Sequence, residues 1–202
     1  MSVSILRKNL ERSLEVHGRL ADACLPAMSA AADALVSAYA NGRKAIFFGN
    51  GGSAADAQHL AAEMVGRYLR ERQALPALAL NANSSIVTAV GNDYGYEQVF
   101  ARQLEALAAP GDVAVAISTS GNSPSVLHAL IRARQLKLYT IGLTGRTGGK
   151  MHSLVDTLIA VPSDETPRIQ ECHILIGHAL SDAVEESVMR MRVESANGVA
   201  TH

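Results

Sequence analysis

The chain has no tryptophan, three phenylalanines, five tyrosines and two cysteines among 202 residues. With aromatics at 4%, a core has to be packed from small and branched aliphatic side chains, which suits closely approaching helices and strands. Cys24 and Cys172 have neither metal-ligand spacing nor the density of a disulfide framework, and read as buried thiols in a reducing compartment. An excess of either charge is also missing. Lys and Arg number 18 and Asp and Glu 19, so the net charge is −1, and the field that non-specific nucleic-acid or anionic-membrane binding requires is absent. No run approaches about 18 uninterrupted apolar residues, and the opening segment with Arg7, Lys8, Glu11 and Arg12 lacks the apolar stretch of a secretory signal. The expectation is a cytoplasmic protein with no nucleic-acid and no membrane partner.

Apolar residues are present at 48%, sufficient for one domain of this length. Leu6, Leu10 and Leu14 form one stripe, predicting a helix over about 3–23, and Pro26 and Gly42 bracket a second, alanine-rich helix. Five short apolar runs follow at 44–49, 76–80, 113–118, 138–143 and 156–161. Helical patterns lie between them at 53–70, 84–91, 96–108 and 123–136, and a last one runs from Pro167 to about 191. Alternating helices and continuously apolar strands predict a parallel sheet covered on both faces. The chain divides into a helical segment of about 1–42, an α/β core of about 43–191 and a polar tail, 192–202, expected to fray. The leucine stripe and the alanine-rich helix exceed what one sheet can cover, so both are expected to pack against further copies of the chain.

In such sheets ligands bind beyond the carboxyl ends of the strands. Gly49-Asn50-Gly51-Gly52-Ser53-Ala54 fits the dinucleotide fingerprint, but that fingerprint wants an acidic residue at the end of the next strand, where Leu80-Asn81 stands. A nicotinamide enzyme is therefore disfavoured. Ser118-Thr119-Ser120-Gly121-Asn122-Ser123 precedes a helix marked by Ser123 as N-cap and Pro124 at its first position. Hydroxyls around a helix N-terminus suit a phosphate monoester; equally, they suit capping alone.

His59 and Glu63 are four apart and share a helical face, while Gln170 and His178 are eight apart and can reach one cleft. Such a set suits zinc or another borderline divalent ion. On spacing alone His59 and Glu63 also read as a surface pair, and Glu63 and Arg67 as an ion pair. Glu171 and His173 fall on other faces and read as packing or surface groups.

With GNGGSAADAQHLAAE at 49–63, SSIVTAVGNDYGYE at 84–97, GDVAVAISTSGNSPSV at 111–126, LTGRTGG at 143–149 and RIQECHILIGH at 168–178, the chain resembles the sugar isomerase (SIS) domain family. Within it, the chain is similar to the phosphoheptose isomerases, which interconvert sedoheptulose 7-phosphate and D-glycero-D-manno-heptose 7-phosphate, the first step of nucleotide-activated heptose biosynthesis. The resemblance spans about residues 1–190. It implies a three-layer α/β/α sandwich with a five-stranded parallel sheet, whose N-terminal helices serve oligomerisation. It further implies sugar contacts at Asn50, Gly51, Gly52, Glu63, Asn92, Asp93 and Gln170, and a phosphate loop of Ser118, Thr119, Ser120 and Ser123. Zinc, or another divalent ion, would be held by His59, Glu63, Gln170 and His178. Glu63 would be the base and His178 the acid of an enediol mechanism, with Glu63 shifting between ligand and base because a coordinated carboxylate is a poorer base. A homotetramer with sites at subunit boundaries is implied, placing Arg67 in reach of a neighbouring site. Two alternatives belong to other classes. A non-catalytic relative that binds a replication initiator is expected to lack the acid and base, and a sugar-phosphate-sensing regulator is expected to carry a DNA-binding domain for which 202 residues leave no room.

Overall fold

Parallel strands β1 (Ala45–Gly49), β2 (Ala77–Ala79), β3 (Val113–Ile117), β4 (Tyr139–Thr144) and β5 (Thr157–Ala160) pair in the order β2-β1-β3-β4-β5. They were placed in a computed structural model that describes residues 2–199, with side chains described for residues 3–191. The helices are α1 (Ser2–Gly18), α2 (Leu20–Ala40), α3 (Gly52–Val65), α4 (Ser84–Tyr94), α5 (Ala101–Leu107), α6 (Pro124–Gln135) and α7 (Thr166–Val199).

Successive strand side chains point to opposite faces, and both faces are buried. Phe47, Val113, Val115, Ile117 and Ile141 pack with α2, α3 and α7, whereas Ile46, Phe48, Ala114 and Ala116 pack with α5 and α6. This is the expected three-layer sandwich. Small residues allow close packing: a Cβ on Gly177 of α7 would run into the side chain of Leu60, which seats against the α7 backbone there. Sequential strand order reverses between β1 and β3, where Gly49 pairs level with Ile117. The loops leaving these two strand ends therefore lie at the switch point, beyond the carboxyl ends of the strands, where ligands bind in such sheets.

Several boundaries differ from expectation. The first helix ends at Gly18, not near 23, and Pro26 lies inside α2. Beyond Val65, α3 stops at Gly66 instead of reaching 70, because the backbone N–H groups of residues 68–70 turn away to a carboxylate on α7. The 96–108 pattern is split into a 3-10 turn at Tyr96–Gln98 followed by α5, after Gly95 at φ 90°. Past residue 191, α7 continues to Val199; the end of the polar tail, 200–202, lies outside the described residues.

The two N-terminal helices cover their apolar residues to different extents. The alanine-rich α2 has the length and average composition of a membrane span, yet it carries Asp22 and Asp33 and packs on α7 and β5, with Leu20, Cys24, Ala31, Leu35 and Ala38 buried. Its inner face is covered by its own chain. The leucine stripe of α1 is not, since Leu6, Leu10 and Leu14 remain 63–73% exposed.

Candidate active site

Two loops from the reversal point meet directly. The Asn50 side chain donates to Ser123 Oγ at 2.7 Å and to Ser125 Oγ at 2.9 Å, and accepts from the Tyr96 hydroxyl at 2.9 Å. Ser123 is the N-cap residue of α6, but its hydroxyl does not cap the helix. The glycines around Asn50 serve geometry: Gly51 sits at φ 58°, and a Cβ on Gly52 would occupy the place of the Gln170 amide. Just past β2, Asn81 is tied to both backbone groups of Gly49, donating to its carbonyl at 2.8 Å. The position where a ribose-binding acid would stand is thus a neutral staple.

A cavity of about 270 Å³ opens beside the serine loop, lined by Thr119, Ser120 and Asn122, by Arg146 and Thr147 after β4, and by Asp164 and Thr166 at the start of α7. Hydroxyls, the N-terminal end of a long helix and a guanidinium converge there, a combination that suits an anion. Ser118, buried, and Ser123, engaged by Asn50, do not line it. Arg146, on the loop that follows β4, adds a guanidinium to these hydroxyls and pairs with Asp164 at 3.1 Å. Asn92 and Asp93 lie exposed at the end of α4, hydrogen-bonded to each other at 2.8 Å and outside this cavity.

The second centre lies on the neighbouring helices α3 and α7. His59 Nε2 is 2.9 Å from His178 Nε2 and 3.1 Å from Glu63 Oε1. One ligand atom from each of His59, Glu63 and His178 lies within 4.8 Å of the others, the only such His/Cys/Asp/Glu group found among the described residues. His59 is 47% exposed and Glu63 20%, so solvent or substrate can reach both. Gln170 is near Gly52, eight residues from His178 and about 12 Å along the helix. Arg67 pairs with Glu71 at 3.7 Å rather than with Glu63, because α3 has already ended. His173 is buried and Glu171 bonds Ser13 and Arg168, as structural groups.

Spacing did not single out three neighbours. Tyr68 stacks on His178 with ring centroids 5.4 Å apart. Arg72 donates to the Glu63 carbonyl at 2.8 Å. Asp56, one turn before His59, has an unpartnered buried Oδ2, and burial pushes its carboxyl above the usual range. Arg72 occupies a segment without periodicity, where a sequence pattern offers no signal, and Tyr68 falls in the part of the 53–70 helical pattern that the structure leaves non-helical.

The SIS-domain family model matches residues 10–145. A phosphoheptose isomerase of Geotalea daltonii is 54% identical over 167 residues, covering 83% of this chain and 87% of the relative. One from Paramagnetospirillum magneticum is 60% identical over 152 residues, covering 75% and 79%. Among solved structures, the phosphoheptose isomerase of Neisseria gonorrhoeae superposes with a TM-score of 0.88 at 40% identity, over 92% of this chain and all of the other. The family match spans α3 and the serine loop, and the chain belongs to the SIS-domain family, among its phosphoheptose isomerases.

Proposed function

We propose that the chain interconverts D-sedoheptulose 7-phosphate and D-glycero-D-manno-heptose 7-phosphate, at the head of a route to nucleotide-activated heptose in the cytoplasm. The observation that carries the mechanism is the convergence of Glu63 and His178, from two helices, on one point beside His59. An aldose–ketose isomerisation moves hydrogen between C1 and C2 through an enediol, so a base must take a proton from carbon while an acid supplies one to oxygen. Glu63 is the base and His178 the acid, and each acts so only while free of an ion, since a coordinated carboxylate is a poorer base and a coordinated ring nitrogen carries no proton. The two groups come from different helices, α3 and α7, and reach the same point. The non-catalytic alternative would leave these two groups without a task.

The nitrogen and oxygen donors of His59, Glu63 and His178 fit zinc or a similar divalent ion, with Gln170 the fourth donor that family resemblance suggests. When bound, such an ion polarises the carbonyl and stabilises enediolate charge. Thr119, Ser120 and Arg146 hold the phosphate in the cavity, with Ser118 and Ser123 shaping the loop and Asn50, Gly51, Gly52, Asn92 and Asp93 serving the sugar. The working unit is a homotetramer. In support, the leucines of α1 are exposed and the His–Glu–His centre is open on the flank of the chain, as groups completed at a subunit boundary would be.

The test is turnover of sedoheptulose 7-phosphate followed by chromatographic separation of the isomers, with and without a chelator. Glu63→Gln is expected to lower kcat by about 10²–10⁴-fold, the usual worth of a general base, while the phosphorylated substrate still binds. Native turnover in the Glu63→Gln protein would overturn the assignment.

A further inference from the structure

The segment between α3 and β2, residues 66–76, has no helix or strand, yet three of its backbone N–H groups are tied to one side chain. Its anchor is Glu185, whose side chain is 0% exposed. Seven residues after His178, Glu185 lies on nearly the same face of α7. Its carboxylate accepts the backbone N–H of Tyr68 at 3.0 Å, of Leu69 at 2.8 Å and of Arg70 at 2.7 Å. Arg72, 2% exposed, adds an ion pair to the clasp, its Nε 3.1 Å from Glu185 but outside hydrogen-bond geometry. The same guanidinium donates to the carbonyls of Met64 at 2.9 Å and Glu63 at 2.8 Å. Burial alone would raise the Glu185 pKa, but the three amides and Arg72 outweigh it and hold the carboxyl below its ordinary value. A buried carboxylate satisfied this fully costs much to disrupt.

The clasp acts on the proposed catalytic face. Tyr68, fixed by its own amide, lays its ring on the His178 imidazole at 5.4 Å between centroids and 31° between planes. His59 lies 5.1 Å away from the same imidazole. His178 therefore has two aromatic neighbours, and of these Tyr68 is the one whose backbone is tied to the buried Glu185–Arg72 pair.

We infer that Tyr68, held by the Glu185–Arg72 clasp, is a positioning residue for His178, fixing the plane of its imidazole so that Nε2 stays aimed at His59 and Glu63. The inference rests on His178 being the acid. The hydroxyl of Tyr68 has no part in it; the ring does. Misplacement of a reacting group by about 1 Å costs on the order of 10²-fold in rate, so a partly freed imidazole should cost about tenfold.

The experiment compares kcat and KM for sedoheptulose 7-phosphate in native protein and in Tyr68→Leu, Tyr68→Phe, Glu185→Gln and His178→Ala variants. The expected result is a kcat reduced about tenfold in Tyr68→Leu with KM within about twofold, and recovery of most of that loss in Tyr68→Phe. Glu185→Gln should reproduce the Tyr68→Leu pattern; if it does not fold, the two Tyr68 variants decide. Native kcat in Tyr68→Leu, or equal losses in Leu and Phe, would overturn the inference while leaving His178 as the acid. Turnover by His178→Ala would overturn both.

Discussion

His59 and His178 point their Nε2 atoms at one another across 2.9 Å although 119 residues separate them. Two imidazoles meeting in this way cannot both direct a proton inward; one donates to the other, or both turn lone pairs towards a cation. With Glu63 Oε1 3.1 Å from His59, the second arrangement also has a charge to balance it. Protein purified without chelator should therefore carry close to one divalent ion per chain by elemental analysis. His59→Ala should lower its affinity at least about 100-fold, the upper range for losing even an outer partner of a metal ligand. Equal metal content in the two proteins would remove this centre as a metal site.

The cavity beside the serine loop separates residues that the sequence groups together. Thr119 and Ser120 line it, whereas Ser123 is spent on Asn50. A hydrogen bond to a charged group is worth about 1.5–3 kcal/mol, so Ser120→Ala should raise KM for the sugar phosphate by at least about tenfold. Its kcat should change much less, because the phosphate does not react. Initial rates and equilibrium titration would check both, and an unchanged KM would exclude Ser120 as a phosphate ligand.

Strands and glycine loops were legible because their signals are local: continuous apolar runs such as VAVAI, and glycines where a chain turns at a strand end. The pair on α3 was legible as a shared face, but spacing could not distinguish a surface pair from a site. That distinction needed His178, brought in by the parallel packing of α3 on α7. The clasp was illegible for the same reason. Glu185 and Tyr68 are 117 residues apart, and helix propensity runs on past Gly66 until a tertiary partner takes the N–H groups that would have continued it. Arg146 escaped notice because only the β3–β4 adjacency sets its loop beside Thr119.

His173 gives the fold an acid limit. Its imidazole is 0% exposed, Nε2 donates to the Thr144 carbonyl, and Nδ1 has no partner. Burial lowers its pKa from 6.5 to about 4, only partly offset by the Thr144 bond. The unfolded chain thus binds the proton more readily, so stability is complete above pH 6.5 and falls as pH drops towards 4. That shift corresponds to about 3 kcal/mol. Denaturant titrations across this range should show the decline, and His173→Gln, which can still donate to Thr144, should flatten it by one proton. An identical slope in the variant would place the acid sensitivity elsewhere.

Leu6, Leu10 and Leu14 stand 63–73% exposed along α1, with Val3 and Ile5 also uncovered, while α1 is fastened to its own chain through polar contacts such as Ser13–Glu171. A helix held by its polar side, presenting its apolar stripe outward, is arranged for association and not for the core. Each buried leucine contributes about 1.5–3 kcal/mol relative to exposure, and a closed oligomer repeats every such contact by symmetry. Leu10→Glu with Leu14→Glu should therefore split a homotetramer into smaller species by light scattering without unfolding the sandwich, whose core does not use these side chains. If the active site is completed at a subunit boundary, turnover should fall in step with the mass. A native mass in the double variant would show that the tetramer is built on another surface, and a lower mass with native turnover would show that one chain carries the whole site.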